Sequence, residues 1–452
     1  MENYIKKSYL VNFIVLTAVI FRCVNEALVD SSYFLLILLC FLGPRSIILS
    51  IFLLWLFYSL NSPLFPDQGY MYGFVRFIII FLALILSFDL LPKNIIKRNF
   101  KVYFWLLIFV LFVFLQSFFN SPFIEVSILK ILTWCSLFVL LMNCWSKIDK
   151  EEFYMLTKDL FFFFLLITIS SLFLVNSHYG YVQNYALFQG ILHHPQLFAI
   201  VMSLFSLMII TGFPYKLHLN IVNFLITIVA LYLLFLSNGR TGILSLFLAL
   251  IIYFLINPTF DHFRKKYTNT SKFIYFFLLS ALPFLIVLIF QLNNILNIQF
   301  IQDVITKSGH TDEKLLIDAY LESRGQIFFS SFDNIMNNFW SGIGFGIGSN
   351  LETFIVLRDP FFGIPYFGAV EKGLIFVAIL EEIGIFGLIV FMVFILSCFF
   401  NLCESGFKSL PLFSLIIILN FGESTFFSTG GVGSLLLIFF TLSISKKIIK
   451  PI

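Results

Sequence analysis

Along almost the whole chain, apolar runs that reach or approach the length of a bilayer crossing alternate with short polar connectors. A crossing needs about 20 predominantly apolar residues. The pattern predicts spans over Tyr9 to Arg22, Tyr33 to Leu42, Ile47 to Leu60, Phe74 to Leu90, Val102 to Phe119, Ile128 to Cys144 and Leu156 to Val175. It continues with Ile191 to Thr211, Ile221 to Leu236, Gly242 to Leu255, Phe273 to Phe290, Leu374 to Cys398, Leu410 to Phe421 and Gly431 to Ile444. The expected fold is therefore all-α, a polytopic transmembrane helical bundle of about fourteen spans, with residues 1–452 forming a single integral membrane domain. The second run and the last few are short, so re-entrant or broken helices are an alternative at those places. The first run follows Lys6 and Lys7 as the core of a signal peptide would. Phe21, Arg22 and Cys23 make a poor small-residue cleavage site, however, and a retained helix is expected.

Composition removes the soluble classes. The chain is 60% hydrophobic and 12% charged, with a mean hydropathy of +1.00, whereas a soluble surface needs roughly a quarter of residues charged. The formal net charge of +4 is spread over short loops and is not a nucleic-acid surface. The cysteines lie in or beside apolar runs without a CxxC pair, which indicates neither a zinc site nor a disulfide framework.

The basic loops orient the bundle. Lys93, Lys97, Arg98 and Lys101 follow the fourth run, Lys147 and Lys150 the sixth, Arg264, Lys265, Lys266 and Lys272 the tenth, and Lys446, Lys447 and Lys450 the last. With both termini cytoplasmic, all of these fall inside, as the lysine and arginine bias requires. Lys6, Lys7, Arg45, Lys216 and Lys408 agree. The same parity puts Ser237 to Thr241 outside, together with a long external loop, residues 291–372, before the twelfth span. Its Pro, Gly, Asn and Asp content predicts a structured loop with short helices, including an amphipathic piece around Leu316 to Phe339, and its length suits a lid or a substrate-binding role. The absence of an internal repeat argues against an inverted-repeat transporter.

Four polar groups fall on or near that outer side. Arg240 sits in the turn Ser237, Asn238, Gly239, Arg240, Thr241, Gly242, where its fork of donors suits phosphate oxygens; an arginine snorkelling to the interface is the plainer alternative. His193, His194, Pro195 and Gln196 open the eighth span, where either histidine can bond a hydroxyl or phosphate and Pro195 is ordinary helix-start chemistry. Arg324 precedes a glycine cluster, Gly342, Gly344, Gly346 and Gly348, able to form an anion-binding nest or simply a flexible stop. Glu371 and Lys372 stand at the mouth of the twelfth span, Glu381 and Glu382 lie within it, and Glu423 ends the next. Adjacent carboxylates in a membrane helix need water, protein donors or a shared proton. One of them can serve as a base toward a sugar hydroxyl or hold the bundle together.

Taken in order, FQGILHHPQ, LSNGRTG, SRGQ with FWSGIGFG, EKGLIFVAILEEIGIFG and GESTFFSTGG resemble the O-antigen ligase and polymerase superfamily of polytopic membrane glycosyltransferases. The resemblance covers roughly the second half of the chain, from Phe188 onward; the earlier spans add general compatibility. It implies transfer of a glycan from an undecaprenyl diphosphate carrier to an acceptor hydroxyl at the outer face of the cytoplasmic (inner) membrane, with no nucleotide sugar, metal or other cofactor. By motif position Arg240 and Arg324 would hold the carrier diphosphate. His194 and Gln196 match the polar element before the eighth span, and Glu371, Lys372 and Glu382 the element at the twelfth. Glu371 is the first candidate base, unless it anchors Lys372 or Arg324 instead; Glu423, Gly344 and Gly346 complete the expected substrate site. Lipid A core ligases carry a histidine and asparagine pair where this chain has Lys372, Gly373 and Leu374. That departure favours a polymerase of O-antigen, capsule or exopolysaccharide repeat units. The expected partners are the lipid-linked glycan, the bilayer, a chain-length regulator and a flippase, and no nucleic acid. The alternatives are a ligase that transfers finished glycan to an acceptor and a transporter of lipid-linked oligosaccharide.

Overall fold

The computed structural model describes residues 2–69, 71–89, 99–181, 187–213, 221–256, 329–358, 363–368 and 372–445. A helix covers every expected span except the eleventh, which lies outside the described residues with most of the expected external loop. In chain order these are α1 (Glu2–Val24), α2 (Glu26–Cys40), α3 (Pro44–Ser59), α4 (Tyr72–Asp89), α5 (Phe100–Asn120), α6 (Ile124–Lys147) and α7 (Lys150–Phe173). They continue as α8 (Pro195–Thr211), α9 (Ile221–Leu236), α10 (Arg240–Ile256), α11 (Ile375–Ser405), α12 (Leu410–Gly422) and α13 (Val432–Ile444). Strands β1 (Val356–Arg358) and β2 (Pro365–Gly368) pair as an antiparallel ribbon. Among the described residues five helices, α1, α5, α6, α7 and α11, are long and apolar enough to cross a membrane.

Local chemistry sets the helix starts. Asn25 caps α2 by accepting from the Ala27 amide, and Asp149 caps α7 by accepting from the Glu152 amide at 2.7 Å. Pro44 and Pro195 occupy first turns, where a missing N–H leaves no helical bond unmade. Burial then sorts the helices into layers. α3, α8 and α13 are enclosed along nearly their whole length, while α5 keeps Leu107, Leu111 and Leu115 exposed at a spacing of one helical turn. α1 and α9 do the same with Phe13, Leu16 and Ile20, and with Phe224 and Ile228. Such rows are a lipid-facing pattern.

Connecting segments meet at two opposite ends. At one, Arg45 pairs with Asp159 at 2.7 Å and bonds Asn12, Lys7 pairs with Glu152, and Asn401 bonds Asn99 and the Ile444 carbonyl. At the other, the Asn61 amide donates to Ile191, Asn61 Nδ2 to Tyr179, Tyr72 to the Gly430 carbonyl, and Gln116 to Ser341. Ile191 and Gly430, from two of the expected external motifs, lie at this second end.

One departure from the expected spans, the break in the twelfth, and the expected shortness of the last two shape that end. The twelfth span, expected over Leu374 to Cys398, is α11, 31 residues long and interrupted at Gly384 (φ 69°, ψ −176°). Beyond the break about 20 residues remain, or ~30 Å of helix, which is one hydrocarbon thickness. In contrast, α12 and α13 have 13 residues each, so each falls ~10 Å short of that thickness. The gap is filled by residues 423–431, which descend into the bundle: the Phe427 ring lies 6.1 Å from Phe109, near the midpoint of α5, and 4.9 Å from Trp134 of α6. Irregular backbone at such depth survives only where protein satisfies its polar groups. Asn420 Oδ1 accepts from the amides of Thr425 and Phe426, and Trp134 Nε1 donates to the Phe426 carbonyl at 3.0 Å.

Candidate active site

The break at Gly384 releases backbone groups that an unbroken helix would pair internally, and the glycine-rich loop 341–348 takes them. The amides of Ile343 and Gly344 donate to the Glu381 and Glu382 carbonyls, both at 2.9 Å, while the freed Ile385 amide donates to the Phe339 carbonyl. Gln116 Nε2, from α5, adds bonds to the Ser341 and Glu382 carbonyls. Glycine is required for this approach. At Gly342 (φ 69°) a Cβ would collide with the Glu382 carbonyl, and at Gly384 with the carbonyl of Trp340.

With the backbone exchange made, both carboxylates of the adjacent pair are held by protein donors. Lys372 Nζ lies 3.0 Å from Glu381 Oε2 and 3.2 Å from Glu382 Oε1. Asn334 Nδ2 and Ser349 Oγ donate to Glu381, at 2.7 and 3.1 Å, and the Gly346 amide donates to Glu382 Oε2 at 2.7 Å. Lys372 is in turn tied to the descending segment, since its carbonyl accepts from the Ser424 amide and hydroxyl.

Beside this cluster lies a cavity of about 220 Å³, lined by Glu382, Lys130, Arg76 and Tyr58, by Ser424, Ser428 and Thr429, and by the backbone of Gly430 and Gly431. Pro365 of β2 lines its rim, and the ribbon is tethered by an ion pair between Arg358 and Glu125 at the start of α6. Arg76, on α4, is buried, its guanidinium 4.6 Å from the Phe77 ring and 5.9 Å from that of Tyr72. The ammonium of Lys130, on α6, lies 5.4 Å from the Phe345 ring and makes no ion pair with a described carboxylate. Arg76, Lys130 and Glu382 thus share one cavity with hydroxyls close by, chemistry that suits an anionic group carried on a polyol. Among the described residues no three His, Cys, Asp or Glu side chains converge as a metal site would require.

The expected site residues distribute unevenly around this cavity. Lys372, Glu382, Gly344 and Gly346 are brought together, but the two glycine amides are spent on Glu382 rather than left as an anion nest. Arg240 opens α10; its neighbour Thr241 packs against Gly422, which places Arg240 by the end of α12 where Glu423 follows. Neither Arg240 nor Glu423 lines the cavity, though Ser424 does. His194 caps α8, its Nδ1 accepting from the Gln196 amide at 3.2 Å. Of the two histidines, His193 approaches the cavity: it bonds the Ser59 carbonyl at 3.1 Å and sits edge-on to Tyr58, a cavity residue, at 5.7 Å. Burial pushes its pKa below the usual value, against the opposing pull of the Ser59 carbonyl. Arg324 and Glu371 lie outside the described residues.

Arg76 and Lys130 do not belong to any of the motifs read from the sequence. Their signal was available nonetheless, since each is a solitary cation within an apolar run, and intramembrane charges are costly enough to mark function. The supporting amides, Asn334, Gln116 and Asn420, carry no comparable signal. No family model matches the chain, and no characterised protein matches it in sequence.

Proposed function

We propose that this protein is a membrane glycosyltransferase that joins polyprenyl-diphosphate-linked glycan repeat units at the outer face of the cytoplasmic membrane. The observation that carries the reading is the polar cavity in an otherwise apolar bundle, where Arg76 and Lys130 face Glu382 and a row of hydroxyls. In the proposed reaction the terminal hydroxyl of one lipid-linked chain attacks the anomeric carbon of another. A new C–O bond forms, the bond from that carbon to the carrier phosphate breaks, and the diphosphate leaves with the electron pair. Cations stabilise that departing charge, and a carboxylate takes the hydroxyl proton. Glu371, adjacent to Lys372, is the proposed base. Glu382 is already engaged by Lys372 and Gly346, a placement that suits orienting the acceptor better than accepting its proton.

The test is the length distribution of the surface glycan after gene deletion and complementation. Loss of long chains with retention of single attached repeats supports polymerisation, whereas accumulation of full-length polymer on the lipid carrier would move the assignment to a ligase. A transporter is the second reading, favoured by one observation: the discontinuous helix α11, since broken helices recur at transporter binding sites. Elongation of externally presented lipid-linked repeats by purified protein in liposomes separates chemistry from transport.

A further inference from the structure

The glycine-rich loop that closes the break in α11 is preceded by a helical segment, residues 329–337, whose two faces differ sharply. Met336, Phe339 and Trp340 follow one another at three- and four-residue spacing across the helix end and are all exposed. The other face is turned inward and carries Ser331, Asn334 and the buried Ile335. Asn334 bonds Glu381 and the Ser349 carbonyl, and Ser331 bonds Ser349. Asp333 and Asn337 are exposed at the border between the two faces.

An exposed apolar stripe of this kind has a partner whose identity follows from what it adjoins. The Trp340 ring lies 5.5 Å from that of Phe386, an exposed residue two positions past the Gly384 break, and Ile389 continues the exposed surface one turn down α11. Phe118 and Phe119, at the end of α5 that packs along α11, are exposed as well. The part of α11 beyond the break has the length of the hydrocarbon layer, so Gly384 falls at its boundary, level with the end of α5 where Gln116 reaches the Glu382 carbonyl. Trp340 is thereby set where tryptophan is enriched, at the junction of headgroups and acyl chains.

We infer that residues 329–340 form an interfacial element seated in the lipid bilayer, with Met336 and Trp340 among the acyl chains, and that its inward face fixes Glu381 at a set depth relative to the membrane surface. Its apolar stripe with polar flanks suits lying in the interface. The element thus serves as a depth gauge, with one side reading the lipid and the other holding the carboxylate cluster through Asn334. This inference rests on the membrane reading of the bundle and is independent of the reaction assigned to it.

The test uses the full chain reconstituted in vesicles of phosphatidylcholine brominated at shallow or deep acyl positions, compared with unbrominated vesicles. The Trp340 signal is the difference between wild-type fluorescence and that of Trp340→Phe, a variant that preserves an aromatic ring against Phe386. The expected result is strong quenching of that difference signal by the shallow bromines, weaker quenching by the deep ones, and protection from aqueous iodide. Quenching by iodide alone would place the residue in water and overturn the proposal. A signal insensitive to every quencher would place it under protein and overturn it equally. Because the readout needs no glycan, a failed polymerase assignment leaves it unaffected, and normal quenching beside absent polymerase activity would reject only that assignment.

Discussion

Replacing Lys372 with methionine tests the feature on which the site is built. Its ammonium lies within 3.2 Å of both Glu381 and Glu382, and the three side chains are 1%, 0% and 7% exposed. Removing one partner of a buried ion pair costs ~3–5 kcal/mol, because the stranded charge remains out of water. Here two carboxylates would be stranded, but each keeps other donors, Asn334 and Ser349 on Glu381 and the Gly346 amide on Glu382. A hydrogen bond to a charged group offsets ~1.5–3 kcal/mol, so the lower end, ~3 kcal/mol, is expected. The assay is thermal unfolding of the purified protein in detergent, followed by size-exclusion chromatography after stepwise heating. Lys372→Met should unfold several degrees below the wild type. Adding Glu381→Gln and Glu382→Gln should recover most of the loss, since neutral amides need no counter-ion. If Lys372→Met alone unfolds at the wild-type temperature, the ion pairs do not hold the broken helix.

Lys130→Gln should reduce glycan elongation in vesicles by about 10- to 100-fold, the loss of a charge-assisted bond to an anionic group, with unfolding temperature unchanged; equal activity would remove Lys130 from the site. Run in parallel, Arg240→Ala would show whether the arginine outside the cavity contributes comparably. Gly342→Ala should destabilise by ~2 kcal/mol or more, from the strained φ and the collision with Glu382, and should be detectable as reduced yield of folded protein. His193 has a folded pKa depressed below its ordinary 6.5, so its contribution to stability is complete above that value and is lost as pH falls through the lower folded one. Unfolding temperatures between pH 7.5 and 5 should therefore decline more for the wild type than for His193→Asn; parallel curves would contradict this.

The hydrophobic pattern located the helices well because period and length are local properties: the expected span Ile221 to Leu236 coincides with α9, and Ile191 to Thr211 with α8 once Pro195 sets its start. It misjudged α11, since glycine at position 384 reads in sequence as a tolerated helix residue until a partner loop arrives to take its carbonyls. The need of Glu381 and Glu382 for donors was readable from the residues alone. Which donors answered it was not, because Asn334, Ser349 and Gly346 reach them across the chain through a fold that no local pattern specifies. Arg76 and Lys130 were missed for another reason: they lie in the first third of the chain, away from the run of motifs, and the cavity joins them to residues 424–431 only through packing.

The shortness of α12 and α13 bears on how the protein is made. A helix of 13 residues gives the translocation machinery a weaker signal than a full-length crossing, and α13 is enclosed by α3, α6, α11 and α12. Both helices therefore need a prepared slot among segments synthesised before them. Until they occupy it, residues 424–431 have no floor beneath them and the cavity has no far wall. Competence thus arrives late in biogenesis, and a nascent chain halted after α11 would present an open cleft to lipid, a natural substrate for membrane quality control.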